Sequence, residues 1–179
     1  SYYLQGSDSH FTAVAKQMLK KSGLSAPEQL FKIFVAAGIW DVDENILKFA
    51  ANLIPEAELV HRDSLCPYAG EPFDLIIGNP PYATFGVNDR HFNDLSELKI
   101  HHAFLARSMR LLRDGGLCVM VVPCYCLDNS TNHARDIIAK ESELVCSYRL
   151  PDSLFSDAKV TVDIVVFQKK AKPNNQYLG

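Results

Sequence analysis

An apolar strand runs directly into a rigid polar corner at Phe73-Asp74-Leu75-Ile76-Ile77-Gly78-Asn79-Pro80-Pro81-Tyr82. The first five residues have the apolar character of a strand buried in a parallel sheet, and Gly78 ends it. Two successive prolines fix φ and remove two backbone donors, so the corner is stiff and exposes carbonyl oxygens. Ligands of open α/β sheets bind beyond the carboxyl ends of strands, which makes this corner the first candidate for chemistry.

Helices and strands alternate on both sides of the corner, which predicts an α/β fold with a mostly parallel sheet. The predicted helices cover 11–21, 43–53, 98–112 and 132–140, and the predicted strands cover 2–4, 30–40, 59–61, 73–77, 117–122, 144–150 and 160–168. Asp43 is interpreted as a helix N-cap, and Gly115-Gly116 as a helix stop. Residues 83–97 show no period and are predicted to form an irregular, functional loop.

Composition and charge favour one cytoplasmic domain. A chain of 179 residues with 47% hydrophobic content supports one substantial core, expected over residues 1–168, with a polar tail or linker at 169–179. No apolar run approaches the roughly 20 residues of a membrane-spanning helix, and the start lacks the pattern of a signal peptide. Five cysteines, an odd number, predict reduced thiols in the cytoplasm.

The formal net charge of −3 excludes a strongly basic protein that binds duplex DNA unaided. If the substrate is nucleic acid, a separate target-recognition domain or subunit is expected to supply most of the phosphate contacts.

The corner residues suit an amino group on a flat ring. The side-chain carbonyl of Asn79 and the backbone carbonyl of Pro80 can together accept both hydrogens of an exocyclic amine. Tyr82 offers an aromatic face for stacking, worth about 1–3 kcal/mol per base. Two convergent acceptors favour a pyramidal nitrogen whose lone pair meets an incoming methyl group, so no strong base is needed. The alternative is a proline-rich turn without a chemical role.

On these residues the sequence resembles the gamma-class adenine-N6 DNA methyltransferases and the modification subunits of type I restriction systems. The similarity extends through 103–116, Val121-Val122-Pro123 and the closing segment 154–169. It implies a class I S-adenosylmethionine-dependent methyltransferase, with a seven-stranded Rossmann-like sheet, helices on both faces and a first strand shortened to Tyr2–Leu4. It also implies that the catalytic residues are Asn79, Pro80, Pro81 and Tyr82, and that Phe155 packs against an extruded adenine. A core aromatic is the alternative for Phe155.

A second group of residues points to S-adenosylmethionine. Asp41 follows an apolar strand, where a carboxylate is well placed to accept both hydroxyls of a ribose. The resemblance gives Asp41 that role, packs Val42 on the cofactor's adenine, and makes Asp63 the acceptor for the adenine amine. A pair of turn-forming aspartates without a ligand is the alternative for Asp41 and Asp43.

The glycine loop of the resembled family is altered here. Its Gly-x-Gly-x-Phe pattern lets the backbone approach the methionine part of the cofactor. The matching residues are Ser7, Ser9 and Phe11, which we assign to cofactor binding although serine lacks the freedom of glycine at positive φ.

Two further motifs are given no functional role. Cys124-Tyr125-Cys126 lacks a second ligand pair at a zinc-like spacing, so free thiols near a strand end are expected. His101-His102 is interpreted as part of a solvated helix face. No metal is expected.

The sequence therefore predicts a site-specific DNA methyltransferase that transfers a methyl group from S-adenosylmethionine to the N6 amine of adenine, with base flipping. Two alternatives stay open. One is a methyltransferase for a protein glutamine or an RNA base, since both use similar tetrapeptides. The other is a non-catalytic module that binds DNA or a partner.

Overall fold

The computed structural model describes residues 2–6, 37–55, 57–83, 86–87, 92–96, 98–128, 133–151 and 160–171. The strands are β1 Tyr2–Gly6, β2 Ala37–Asp41, β3 Glu58–His61, β4 Phe73–Asn79, β5 Leu112–Pro123, β6 Ser142–Arg149 and β7 Val162–Lys169. The α-helices of the described part are α1 Glu44–Leu53, α2 Ile100–Leu111, α3 Tyr125–Asp128 and α4 His133–Glu141. A 3-10 turn spans Asn93–Leu95.

The strands form one seven-stranded sheet in the order β3-β2-β1-β4-β5-β7-β6. The first five strands in this order are parallel to one another, whereas β7 is antiparallel to both β5 and β6. Strand β1 lies inside the sheet, between β2 and β4, and extends to Gly6, two residues beyond the expected Leu4. The predicted seven-stranded, mostly parallel sheet is confirmed.

Adjacent residues of β2 show that helices cover both faces of the sheet. Ile39 packs in a cluster with Leu47 and Ile54, which belong to α1 and its C-cap. Trp40 points to the opposite face, because successive strand residues alternate. On that face the main core includes Ile76 and residues of α2 and α4. Full burial of one such apolar side chain contributes about 1.5–3 kcal/mol.

Helix α1 begins where the sequence predicts. Asp43 is the N-cap, and its side chain accepts a hydrogen bond from the Asn45 amide at 2.8 Å. The carboxylate satisfies one of the amides that a helix start leaves unpaired. The predicted cap and helix are confirmed.

The predicted helix stop at Gly115-Gly116 is wrong. Helix α2 ends at Leu111 and β5 begins at Leu112, so both glycines lie within the strand. Leu112 is opposite Phe73 and Leu117 is opposite Leu75, so β5 bulges between these two pairs. Gly115 has a φ of 75° there, which explains why glycine is needed in this bulge.

The remaining boundaries differ by a few residues. Strand β7 ends at Lys169, the residue at which we placed the start of the tail, and the Lys170 amide donates to the Glu141 carbonyl at 2.9 Å.

The predicted helix 11–21 and residues 30–36 of the predicted second strand lie outside the described residues. The loop 83–97 contains the 3-10 turn and the fully buried Leu95. Within the described part of the chain, no helix has the length and apolar character to cross a bilayer.

Candidate active site

Residues of the predicted cofactor group and of the predicted catalytic corner meet in one cavity of about 370 Å³ at the carboxyl edge of the sheet, but Pro80 and Tyr82 do not line it. Asp41 ends β2, Asp63 follows β3, and Asn79 ends β4, and parallel strands bring these ends to the same side. The lining residues are Trp40, Asp41, Val42, Arg62, Asp63, Ser64, Leu65, Asn79, Pro81, Ile100 and Phe104. One cleft therefore holds residues from both predicted groups.

Asp41 and Val42 form the outer wall of this cavity. One carboxylate oxygen of Asp41, Oδ1, accepts a hydrogen bond from the Asp43 amide at 2.8 Å. Its Oδ2 atom accepts none from the described residues. Val42 is 64% exposed, which is unusual for a β-branched apolar side chain next to a buried strand. A carboxylate with an available oxygen thus lies beside an uncovered apolar surface.

Asp63 is held in a tight turn after β3. Its Oδ1 atom accepts from the Leu65 amide at 2.8 Å, and its carbonyl accepts from the Cys66 amide at 3.1 Å. The turn directs residues 63–65 along the cavity wall. This local bonding explains why Asp63, weak as a motif in the sequence, is fixed relative to the cavity.

Two arginine residues hold that turn in place, a feature that the sequence did not reveal. The Arg62 guanidinium lies 4.2 Å from the centroid of the Trp40 ring and donates to the Pro67 carbonyl at 2.9 Å. The buried Arg107 donates to the Cys66 carbonyl, which also accepts from Arg62. A tryptophan directly before Asp41 and an arginine directly before Asp63 were the available signals.

The Asn79-Pro80-Pro81-Tyr82 corner is internally hydrogen-bonded. The Tyr82 hydroxyl lies 2.6 Å from Asn79 Oδ1 and 3.1 Å from the Val121 carbonyl oxygen, so its proton is donated to one or shared between them. Tyr82 is half-buried against a cluster that contains Val121, Leu150 and Val162. The ring is therefore seated on the sheet, and Asn79 Oδ1 is already held by a donor.

Helix α2 supplies two further cavity residues that sequence reasoning did not find, Ile100 and Phe104. They lie one turn apart on the helix, so both reach the same wall. Their apolar side chains carry no motif, and only the fold brings them beside Asn79.

Other predicted site residues lie outside the described residues, namely Ser7, Ser9, Phe11 and Phe155. Gly6, the last residue of β1, is paired with Asn79 in the sheet. Strand β1 therefore ends at the same edge of the sheet as the corner.

The interpretation of His101-His102 as a solvated face is wrong. Both side chains are buried in the first turn of α2, and the His101 ring packs edge-on against Tyr125 of α3 at 5.4 Å between centroids. Burial lowers the pKa of each histidine to about 4, with a smaller contribution from nearby positive charge. The face of α2 that carries them meets another helix, which the sequence pattern could not indicate.

Solved structures share this architecture. A protein from Listeria monocytogenes described as a class I S-adenosylmethionine-dependent methyltransferase superposes with a TM-score of 0.71 at 22% identity, covering 98% of this chain and 56% of that one. The M protein of the type I restriction enzyme EcoKI superposes with a TM-score of 0.61 at 18% identity, covering 94% and 40% respectively. The chain has the class I S-adenosylmethionine-dependent methyltransferase fold.

Sequence comparison identifies the family within that class. Residues 16–154 match the Eco57I restriction-modification methylase family, and the chain belongs to it. Type II methyltransferase M.TthHB8I of Thermus thermophilus is 33% identical over 140 residues, covering 69% of this chain and 32% of that protein. Type II methyltransferase M.BsuBI of Bacillus subtilis is 24% identical over 152 residues, covering 80% and 29%. The chain spans about a third of the length of these relatives. The resemblance to restriction-modification methyltransferases is confirmed.

Proposed function

We propose that this chain is the catalytic part of an S-adenosylmethionine-dependent DNA methyltransferase that methylates the N6 amine of adenine. The observation that carries the proposal is the single cavity lined by Asp41, Val42, Asp63, Asn79 and Pro81. It joins a nucleoside-type binding surface to amine acceptors within one cleft. Membership of the Eco57I restriction-modification methylase family supports DNA as the substrate.

The Asp41 side of the cavity fits the methyl donor. The Oδ2 atom of Asp41 is available to accept from ribose hydroxyls, and the exposed Val42 side chain offers an apolar surface to an adenine ring. Asp63 provides a carboxylate for the adenine amine, and we assign Ser7, Ser9 and Phe11 to the same methyl donor. When bound, S-adenosylmethionine supplies an electrophilic methyl group on its sulfonium.

The corner side fits the target amine. Asn79 Oδ1 accepts from the Tyr82 hydroxyl, but a carbonyl oxygen has a second lone pair that can accept an N–H from the substrate. The Pro80 carbonyl is the second acceptor, and no proline amide competes for it. Holding both hydrogens turns the nitrogen lone pair toward the methyl donor and stabilises the positive charge that develops on nitrogen.

Adenine in duplex DNA must leave the base stack to enter this cavity, at a cost of a few kcal/mol. Tyr82 and Phe155 are the aromatic residues that we assign to the flipped ring. A target-recognition domain or subunit outside this chain is proposed to grip the DNA, because the net charge of −3 favours no strong phosphate contact.

The test offers S-adenosylmethionine with a labelled methyl group to the chain in the presence of duplex DNA, transfer RNA or a release factor, followed by nucleoside analysis. We expect N6-methyladenine in DNA. Label found only in protein or only in RNA would contradict the substrate assignment. Calorimetry with S-adenosylmethionine tests the binding-module alternative, since absence of heat at millimolar ligand would favour it.

A further inference from the structure

Three buried potential metal ligands lie together behind the active-site cavity. His101 and His102 come from the first turn of α2, and Cys126 comes from α3, directly after β5. One ligand atom of each lies within 4.8 Å of the others. The side chains are 0%, 5% and 3% exposed, in that order. None of the three lines the cavity that holds Asp41 and Asn79.

The ring nitrogens of His101 are unusual because they lack hydrogen-bond partners among the described residues. The His101 side chain is fully buried, yet neither ring nitrogen has a hydrogen-bond partner in the part of the chain that the structure describes. Buried polar groups are nearly always satisfied, because leaving a donor or acceptor without a partner destabilises the fold. A buried imidazole that lacks hydrogen bonds and lies beside a second imidazole and a thiol is placed as a metal ligand would be.

We propose that His101, His102 and Cys126 bind a zinc ion that fixes the first turn of α2 to α3. Two imidazole nitrogens and one thiolate are ligands that Zn²⁺ prefers, and three protein ligands leave the fourth tetrahedral position for water. Tetrahedral Zn–N and Zn–S bonds place donor atoms about 3.5 Å apart, so closure from the observed spacing needs about 1 Å of side-chain movement.

A second cavity gives the ion a route to this site. It has a volume of about 320 Å³ and is lined by His102 and Cys126, together with residues of α4, β5 and β7. The cavity also has room for the water molecule that completes the coordination. It opens on the side of α2 away from Ile100 and Phe104, so zinc binding and methyl transfer occupy separate spaces.

The charges around the three ligands are mixed. Burial, and then Lys99, lower the pKa of His101, and burial is the main cause of the lowered pKa of His102 as well. Burial raises the pKa of Cys126 to about 12, with the negative charge of Asp163 as the next cause. The positive charge of Lys99 disfavours a bound cation, whereas the negative charge of Asp163 favours one. Zinc binding must also release the thiol proton of Cys126.

No zinc was expected from the sequence, because Cys124-Tyr125-Cys126 has no second ligand pair at a zinc-like spacing along the chain. The fold supplies that pair from a different helix, so spacing along the chain could not reveal it.

Cobalt(II) titration of the metal-free full chain tests the site directly. We expect one Co²⁺ per chain, with a thiolate-to-cobalt charge-transfer band in the near ultraviolet and the visible bands of tetrahedral cobalt. Cys126→Ser should lose the charge-transfer band. Cys146→Ser is the matched control, because Cys146 lies on β6 away from the cluster, and it should keep the band. No band in the wild type, or a band that persists in Cys126→Ser, would overturn the proposal.

Thermal unfolding with and without Zn²⁺ separates ligation from a packing role. His101→Leu removes two unsatisfied nitrogens from an apolar site, so the metal-free variant should have a Tm equal to or above that of the wild type. Zn²⁺ should raise the Tm of the wild type by several degrees and that of His101→Leu by none. An equal zinc-induced shift in both proteins would contradict ligation by His101.

Discussion

Asn79 and Tyr82 have different roles in the corner, although a single hydrogen bond joins their side chains. The Tyr82 hydroxyl holds Asn79 Oδ1 at 2.6 Å, which fixes the orientation of the amide. The acceptor that we assign to the substrate amine is thus positioned before any substrate binds. Preorganised groups of this kind need no rearrangement as charge develops in the reaction.

Asn79→Ala is expected to reduce methyl transfer to DNA by at least about 10²-fold, since it removes an acceptor aimed at the developing charge. Affinity for S-adenosylmethionine, measured by calorimetry, should stay within about threefold of the wild type, since the proposed donor contacts lie on Asp41 and Asp63. Tyr82→Phe is the comparison: it keeps the ring and loses a hydrogen bond worth about 1 kcal/mol, so activity should fall about tenfold or less. Near-normal turnover in Asn79→Ala would show that the catalytic site is elsewhere.

Two aspartates that are close in sequence, Asp41 and Asp43, form a matched pair for testing the cofactor side. Asp41→Ala should weaken S-adenosylmethionine binding by about tenfold or more, because a hydrogen bond to a charged group is worth about 1.5–3 kcal/mol. Asp43→Ala should leave the affinity nearly unchanged but lower the free energy of unfolding by about 0.5–2 kcal/mol, since Asp43 caps α1. Calorimetry and urea unfolding measure the two effects, and equal losses of affinity in both variants would contradict the assignment.

At the scale of elements, the junction between β4 and β5 depends on two glycines with different requirements. A Cβ atom on Gly116 would lie 2.9 Å from the Arg113 carbonyl oxygen and 3.2 Å from that of Asp74. Backbone atoms cannot rotate away as a side chain can. Gly115 instead needs its φ of 75°, and nothing lies within 4 Å of its Cβ position.

Gly116→Ala should therefore lower the free energy of unfolding by about 1–3 kcal/mol, as overpacking does in other cores. Gly115→Asn is the control, because asparagine tolerates positive φ and should cost less than about 1 kcal/mol. Urea unfolding followed by circular dichroism measures both. Gly116→Ala with wild-type stability would mean that the bulge relaxes freely.

Most elements were predictable because their signals are local. Boundaries of elements are indicated to within a few residues by the cap Asp43, by the apolar run that ends at Gly78 and by the polar corner. The end of α2 was not predictable, since Leu111 and Leu112 are both buried and no helix-breaking residue separates the helical pattern from the strand pattern.

Local signals also explain which site residues could be predicted from the sequence and which could not. Asp41 and Asn79 end strands and Asp63 follows one, where chemistry is expected, and all three line the cavity. Ile100 and Phe104, and the burial of His101, depend on which neighbour a helix face meets, and a single sequence carries no such information.

At the scale of the whole molecule, the chain combines an active-site cleft with a surface of balanced charge. The formal net charge is −3, and the salt bridges of the described part pair several arginines with carboxylates, as Arg149 is paired with Asp128 and Asp163. Paired arginines contribute little to phosphate binding. A surface of this charge is poorly suited to holding a DNA duplex unaided.

The chain is therefore expected to bind non-specific duplex DNA with a Kd weaker than about 10⁻⁴ M at physiological salt, and with a slope of log K against log salt of magnitude below about 2. Fluorescence anisotropy over a salt series measures both quantities. Micromolar binding with a steep slope would mean that this domain makes extensive phosphate contacts itself and needs no separate DNA-gripping domain.

The position of β1 between β2 and β4 has a consequence for reaction geometry. Asp41 ends the strand on one side of β1 and Asn79 ends the strand on the other, with Gly6 paired to Asn79 between them. Two inter-strand spacings separate the flanking backbones by about 10 Å. The separation between Asp41, which we propose as the sugar-binding carboxylate, and Asn79, which we propose as an acceptor for the base, is thus dictated by main-chain ladders. Side-chain replacement around the cleft can alter which molecules enter, but the distance between the two strand ends that a bound methyl donor would have to bridge stays constant.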